Sequence, residues 1–191
     1  ATVVVQTKRW YNYTYPTISR TLDDACTGIR DKLRAAVSKR MLSDRPICCL
    51  LSGGFDSSII TALVNEHYEP GQLHTFSIGM KGSVDLMYAQ KVADYLQTSH
   101  HQVELTESDF LQAIEVVVKN IESYDTTTVR ASIGNYLISK HISENTDYKV
   151  VFNGDGSDEA SGSYLYFYNA PDSDAFQQEC VRLLQDIAWF D

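Results

Sequence analysis

The stretch Ser52-Gly53-Gly54-Phe55-Asp56-Ser57-Ser58 constrains this chain more than any other. Before it, Pro46-Ile47-Cys48-Cys49-Leu50-Leu51 has the character of a buried strand. After it, Ile59-Ile60-Thr61-Ala62-Leu63-Val64 follows a helical pattern. A strand, a glycine turn and a helix N-terminus are therefore joined in close succession. Two glycines and three hydroxyls let the backbone curl around a ligand, and the amides of the turn and of the first helical turn point at one spot. Unpaired N–H groups and the helix dipole both favour an anion there, phosphate above all. The stretch is not a Walker A loop, which needs G-x-x-x-x-G-K-[ST]; no lysine stands here. Asp56 brings negative charge instead, so a polyphosphate requires a metal ion between them, and Mg²⁺ bridging carboxylate and phosphate oxygens is the ordinary solution. A glycine pair after a strand is also a common tight turn, so the rest of the chain has to decide.

Strand and helix patterns alternate along most of the sequence. Thr2–Thr7 is a short strand-like run, followed by the aromatic cluster Trp10, Tyr11, Tyr13 and Tyr15; residues 1–18 read as a linker or edge segment, and 19–191 as one domain. Leu22, Cys26, Ile29, Leu33, Ala36, Val37 and Met41 recur at helical spacing until Asp44-Arg45-Pro46. Leu73–Ile78, His100–Glu104 and Tyr148–Phe152 read as further strands. Helices are expected over Leu86–Leu96, from a capping-box-like Thr106-Glu107-Ser108-Asp109 to about Ile121, over Ile133–Ile142, and over Phe176–Ile187. Such alternation predicts an α/β fold, a parallel sheet flanked by helices on both faces. Ligands of open parallel sheets sit beyond the carboxyl ends of the strands. That rule selects the loops after Leu51, Ile78 and Phe152.

The loop after Phe152 reads Asn153-Gly154-Asp155-Gly156-Ser157-Asp158-Glu159. A solvated acidic turn has this composition. At a strand's carboxyl end, however, the same groups can hold Mg²⁺, orient a cationic amine or accept a proton. A third stretch, Asp125-Thr126-Thr127-Thr128-Val129-Arg130-Ala131-Ser132, carries three threonines that disfavour a regular helix. Arg130 follows them at the start of the next helical pattern. It is either an ordinary surface arginine or a fork for carboxylate or phosphate. Adjacent His100 and His101 point to opposite faces of a strand, a poor geometry for one shared ion.

A net charge of −9 and the lack of a basic stripe argue against a nucleic-acid binder. No apolar run approaches a membrane span, and no signal-peptide pattern opens the chain. Cys26, Cys48, Cys49 and Cys180 contain no C-x-x-C pair, which favours reduced, buried thiols in a cytoplasmic protein over a zinc or redox site.

The string S-G-G-x-D-S-S resembles the pyrophosphate-binding loop of the N-type ATP pyrophosphatases, the PP-loop superfamily. Within that group the chain resembles asparagine synthetase. The resemblance rests on Ser52–Ser58, Phe76-Ser77-Ile78-Gly79, Thr126–Ser132 and Gly154–Glu159 in that order, and on the approach Lys39-Arg40-Met41-Leu42-Ser43-Asp44-Arg45-Pro46. It covers nearly the whole chain from about Lys8. It implies an adenine nucleotide alpha-hydrolase-like fold and a ligase that uses ATP and Mg²⁺ to adenylate aspartate. Pyrophosphate then leaves, and ammonia converts β-aspartyl-AMP to asparagine. By this resemblance Ser52, Gly53, Gly54, Asp56, Ser57 and Ser58 hold the pyrophosphate, with Asp56 on Mg²⁺. Leu51, Ile78, Asn153 and Gly154 line the adenosine pocket, Leu51 and Ile78 as apolar walls. Asp155 and Arg130 are the expected catalytic residues. Thr127, Thr128, Arg130 and Asp158 belong to the substrate side, with Asp158 a second candidate for metal.

Three positions depart from the family pattern: Phe55 stands for the usual leucine, Asn153 for serine, and Asp155 for a glutamate one methylene longer. The glutamine-dependent family carries a cysteine-first glutaminase domain before the synthetase domain and further substrate-binding segments after it. This chain begins Ala1-Thr2-Val3 and ends at Asp191. It therefore reads as a synthetase-domain fragment or a shortened relative, expected to make little asparagine alone. The alternatives are another amide-forming adenylator of the β-lactam synthetase kind, and a degenerate ATP-binding fragment.

Overall fold

A computed structural model describes residues 18–190, without side-chain detail for 188–190. The strand-like run Thr2–Thr7, the aromatic cluster at Trp10–Tyr15 and nearly all of the expected linker lie outside the described residues. In chain order the elements are α1 (Leu22–Arg40), β1 (Ile47–Leu50), α2 (Phe55–Asn65), β2 (His74–Met80), α3 (Val84–Leu96) and β3 (Ser99–Leu105). They continue with α4 (Glu107–Ile121), α5 (Thr126–Asn145), β4 (Val150–Phe152), α6 (Ser157–Ser161), a 3-10 helix (Leu165–Asn169) and α7 (Ser173–Phe190). The chain divides into two compact units. One is Gly28–Asp155; the other joins residues 18–27 to residues 156–190.

The first unit holds the sheet. Its strands run in the order β3-β2-β1-β4, and every neighbouring pair is parallel. The predicted parallel arrangement of the strands ending near Leu51, Ile78, Glu104 and Phe152 is thus the observed one. Cys49 lies opposite Thr75 on one side and Phe152 on the other. Side chains alternate between the two faces. On one face Cys49, Ile47 and Leu73 meet Val37 of α1 and Val64 of α2, while Leu51 meets Ala89 and Ala93 of α3. On the other, Cys48 and Phe76 meet Ile138 and Ile142 of α5. Both faces are therefore covered. Burial pushes the Cys48 and Cys49 thiols up to about 12, so both remain protonated.

The histidines divide in the same way. His100 bonds Thr75 Oγ1 at 2.8 Å and Ser77 Oγ at 3.0 Å on the α3 side. His101 stacks on Phe76 and on His74 on the α5 side, and its Nε2 lies 2.9 Å from His74 Nδ1. Burial, then the neighbouring His101 charge, pulls His100 below its ordinary value; burial, then His74 and His141, does the same for His101.

Two sequence expectations change here. The apolar stripe of α1 is not a continuous core face: Leu22, Cys26 and Ile29 are exposed, and Val37 is the buried residue. A 19-residue helix is about 28 Å long by its 1.5 Å rise, whereas β1 has four residues. Within the first unit, Val37 near the C-terminal end of α1 packs on the sheet. The thiol of Cys26 is accordingly exposed and that of Cys180 half-buried, unlike the buried thiols expected. The second change concerns Thr126–Thr128, which do not interrupt a helix but form the first turn of α5. Asp125 caps that turn, accepting from the Thr128 N–H and hydroxyl at 2.8 Å each. β-branched residues are costly where they press on a preceding helical turn, and a first turn has none.

In the second unit α6 begins inside the acidic stretch Asn153–Glu159 that the sequence suggests is a loop, and the 3-10 helix follows it. Phe167 is buried and packs edge-on to Phe176 of α7. Arg182 of α7 pairs with Glu179 at 2.7 Å and Asp186 at 2.5 Å. Among the described residues, no helix is long and apolar enough to cross a membrane.

Candidate active site

The topology places a site before any side chain is considered. From β1 the chain moves outward through β2 to β3, then returns across the other face to place β4 on the far side of β1. The chain thus leaves β1 on one face and enters β4 from the other, and the crevice outside the carboxyl ends of these two strands is where such sheets bind ligands. The two loops at that crevice are Ser52–Gly54 and Asn153–Asp155.

The first loop is built by its glycines and serines. Gly53 has φ +80°, and a Cβ there would lie 2.4 Å from the Ala89 nitrogen and 2.5 Å from the Tyr88 carbonyl carbon. Only glycine lets the turn press against α3 in this way. Ser57, almost fully buried, accepts from the Ser52 N–H at 3.2 Å and shares a hydrogen bond with the Ser52 hydroxyl at 2.9 Å. Ser58 donates to the Gly54 carbonyl at 2.6 Å. The serines thus tie the turn to the helix it opens. α2 starts at Gly54 with no side-chain cap, whereas Ser83, Thr106 and Asp125 cap α3, α4 and α5. An uncapped N-terminus at a sheet's carboxyl end leaves donors and the positive end of the dipole for an anion.

The second loop is pressed onto the first. A Cβ on Gly154 would meet the Ser57 nitrogen at 2.7 Å and the Asp56 carbonyl carbon at 2.9 Å. The main chain of Gly154 therefore lies directly against the first turn of α2. Asp155, exposed on the next position, accepts from Asn153 Nδ2 at 2.8 Å. A cavity of about 570 Å³ runs beside this loop. Leu33, Ala36 and Arg40 of α1, Ile60 of α2, and Phe152 with Asn153 and Asp155 are among its lining residues.

Leu51 is buried, with its side chain packed on Ala89 and Ala93. Ile78 is partly buried against the Cys48–Phe76 cluster near the end of β2. Thr127, Thr128 and Arg130 lie in the first turns of α5, all exposed. Because α5 leads into a parallel strand it runs against the sheet direction, so its N-terminus lies on the side where the strands end. Asp158 belongs to the second unit, where its carboxylate accepts from the Ser163 hydroxyl. The α3 backbone at Tyr88–Ala89 and the α1 residues Leu33 and Ala36 carry no local functional signal in the sequence. Their part depends on tertiary contact, and the only local signal was the helical spacing of Leu33 and Ala36.

Most of the chain matches a known family. A sequence model described as asparagine synthase aligns with residues 28–188. The chain belongs to the asparagine synthase family. The glutamine-hydrolysing asparagine synthetase of Cricetulus griseus is 44% identical over 174 residues, 89% of this chain and 31% of that protein. The Homo sapiens enzyme is 46% identical over 160 residues, 82% of this chain and 28% of that protein. The chain thus spans about three-tenths of the length of these relatives. Among solved structures, an NH3-dependent NAD synthetase from Campylobacter jejuni is similar at TM-score 0.49 and 16% identity, over 72% of this chain and 60% of that one. An NMN synthetase from Francisella tularensis is similar at TM-score 0.48 and 15% identity, over 72% and 58%.

Proposed function

We propose that this chain is the nucleotide-binding part of an ATP-dependent ligase that adenylates aspartate and passes the acyl group to ammonia, giving asparagine, AMP and pyrophosphate. One observation carries the reading: the Gly154 backbone rests on the first turn of α2, so the anion-binding loop and the acidic loop form one crevice at the switch point. Family membership supplies the reaction class.

In this reading the departing pyrophosphate lies on the amides of Gly53–Ser57 and the hydroxyls of Ser52 and Ser58. Adenosine sits near Leu51, beside Ile78 and against the main chain of Asn153 and Gly154. Among the described residues, no group of three or more His, Cys, Asp or Glu side chains gathers for a metal. The single half-buried carboxylate of Asp56 nonetheless fits Mg²⁺, which usually takes one or two carboxylates and completes its shell with phosphate oxygens and water. When bound, the ion neutralises the polyphosphate opposite that carboxylate. Arg130, with Thr127 and Thr128, binds the aspartate carboxylates and the α-phosphate, holding nucleophile and phosphorus in line. Asp155 acts on the aspartate and ammonia side, accepting a proton as ammonia attacks the acyl-adenylate. The whole protein is expected to carry a glutaminase domain as ammonia source and to work in the cytoplasm, without nucleic-acid or membrane partners.

The test is pyrophosphate release by the full-length protein with ATP, Mg²⁺ and a panel of amino acids. Release dependent on aspartate supports the proposal. Release dependent on another acceptor points to a different adenylator of the β-lactam synthetase kind, and ATP binding without release to a binding protein.

A further inference from the structure

We infer that Asn153 is a positioning residue for Asp155 and that the two side chains act as one unit. The inference rests on the proposed role of Asp155 and adds to it the group that aims the carboxylate. Asn153 Nδ2 stands 2.8 Å from Asp155 Oδ2. An ionised carboxylate only accepts hydrogen bonds, so the amide must present its nitrogen and its orientation is fixed. Both residues are exposed. The bond therefore fills no core and is not required to hold the strand in place.

The main chain around Asp155 is fixed without this bond. Phe152 is paired with Cys49 in the sheet. Gly154 is clamped on Asp56 and Ser57, and Gly156 holds a left-handed turn at φ +88°. What remains free is the rotation of the Asp155 side chain itself. A charge-assisted hydrogen bond from two residues earlier removes that freedom and holds the carboxylate at a set place beside Asn153. Asn153 is thereby distinguished from a residue that merely lines the nucleotide pocket. The pocket role affects ATP affinity, whereas the positioning role affects turnover through Asp155 alone.

The experiment uses the full-length protein and aspartate-dependent pyrophosphate release by Asn153→Ala, Asp155→Asn and the double variant. Asn153→Ala is expected to lower kcat about 10-fold while leaving KM for ATP within about twofold, the pattern of a misplaced reacting group. The double variant should be no slower than Asp155→Asn beyond about twofold, because residues acting as a unit are not additive. Asn153→Asp supplies a reading that a purely structural role would not move. It sets two carboxylates within hydrogen-bond reach, so the acid limb of the kcat profile should shift up by about one pH unit. Multiplying losses in the double variant, an effect confined to KM for ATP, or an unmoved profile in Asn153→Asp would each overturn the inference. Slow Asp155→Asn beside normal Asn153→Ala overturns this inference alone; normal turnover in Asp155→Asn overturns the role of Asp155 as well.

Discussion

The neighbouring glycines of the first loop should respond very differently to the same added methyl group. At Gly53 φ is +80°, and a Cβ would stand 2.4 Å from the Ala89 nitrogen and 2.5 Å from the Tyr88 carbonyl carbon. Both obstacles are backbone atoms of α3 and cannot rotate away. The left-handed backbone costs an L-residue about 1–2 kcal/mol, and forced overpacking about 1–3 kcal/mol more. Gly53→Ala should therefore destabilise the fold by about 2–5 kcal/mol, the sum of those ranges. At Gly54 the backbone is extended, with φ −71° and ψ 166°. The nearest atom to its Cβ is the Ser52 hydroxyl oxygen at 3.4 Å, an ordinary contact. Gly54→Ala should be neutral within about 1 kcal/mol, since a compatible alanine also restricts the unfolded chain. Urea and thermal unfolding of the 191-residue chain measure both. A domain of this size loses about 2–4 °C per kcal/mol, so Gly53→Ala should melt about 4–20 °C lower. Equal melting temperatures for the two variants would refute the reasoning, and so would a Gly54→Ala that is the worse of the pair.

Other consequences can be measured separately. In the full-length protein, Asp56→Asn should weaken ATP–Mg²⁺ binding and suppress pyrophosphate release together, while Asp155→Asn should bind ATP–Mg²⁺ almost normally in calorimetry and turn over about 10²-fold or more slowly. Thr106→Ala removes a complete capping box on α4 and should cost about 1 kcal/mol in urea titration; an unchanged midpoint would count against the cap. Acid should destabilise the sheet through His100 and His101. Their folded values lie below the ordinary one, so the unfolded chain takes up protons first. Their stabilising contribution is complete above about pH 6.5 and is lost as pH falls through the folded values. His101→Gln should flatten the fall in melting temperature between about pH 7.5 and pH 5.5, and an unaltered slope would show that other groups set it.

Much of the site was legible because its local chemistry is unusual. A buried strand, paired glycines and clustered hydroxyls before a helix leave few foldings, and Ser52–Ser58 adopt the strand–turn–helix that they suggested. Strand–helix alternation likewise carried the parallel sheet, and Thr106–Asp109 their capping box. The rest depended on distance along the chain. That Gly154 touches Asp56 and Ser57 is a tertiary fact linking residues about a hundred positions apart, and no period or propensity encodes it. Helix propensity alone disfavours Thr126–Thr128, whereas the cap at Asp125 makes them a first turn. The stripe of α1 promised more burial than a four-residue strand can supply. The short α6 lies among acidic and glycine residues, where turn and helix signals look alike.

The claim that aspartate attacks the α-phosphorus of ATP is tested most directly by label transfer. The full-length protein would be given aspartate with oxygen-18 in its side-chain carboxylate, together with ATP, Mg²⁺ and ammonia, and the products read by mass spectrometry. Attack through that carboxylate predicts one labelled oxygen in AMP, none in pyrophosphate, and one retained in asparagine. Unlabelled AMP, or ADP with labelled inorganic phosphate in its place, would contradict the account.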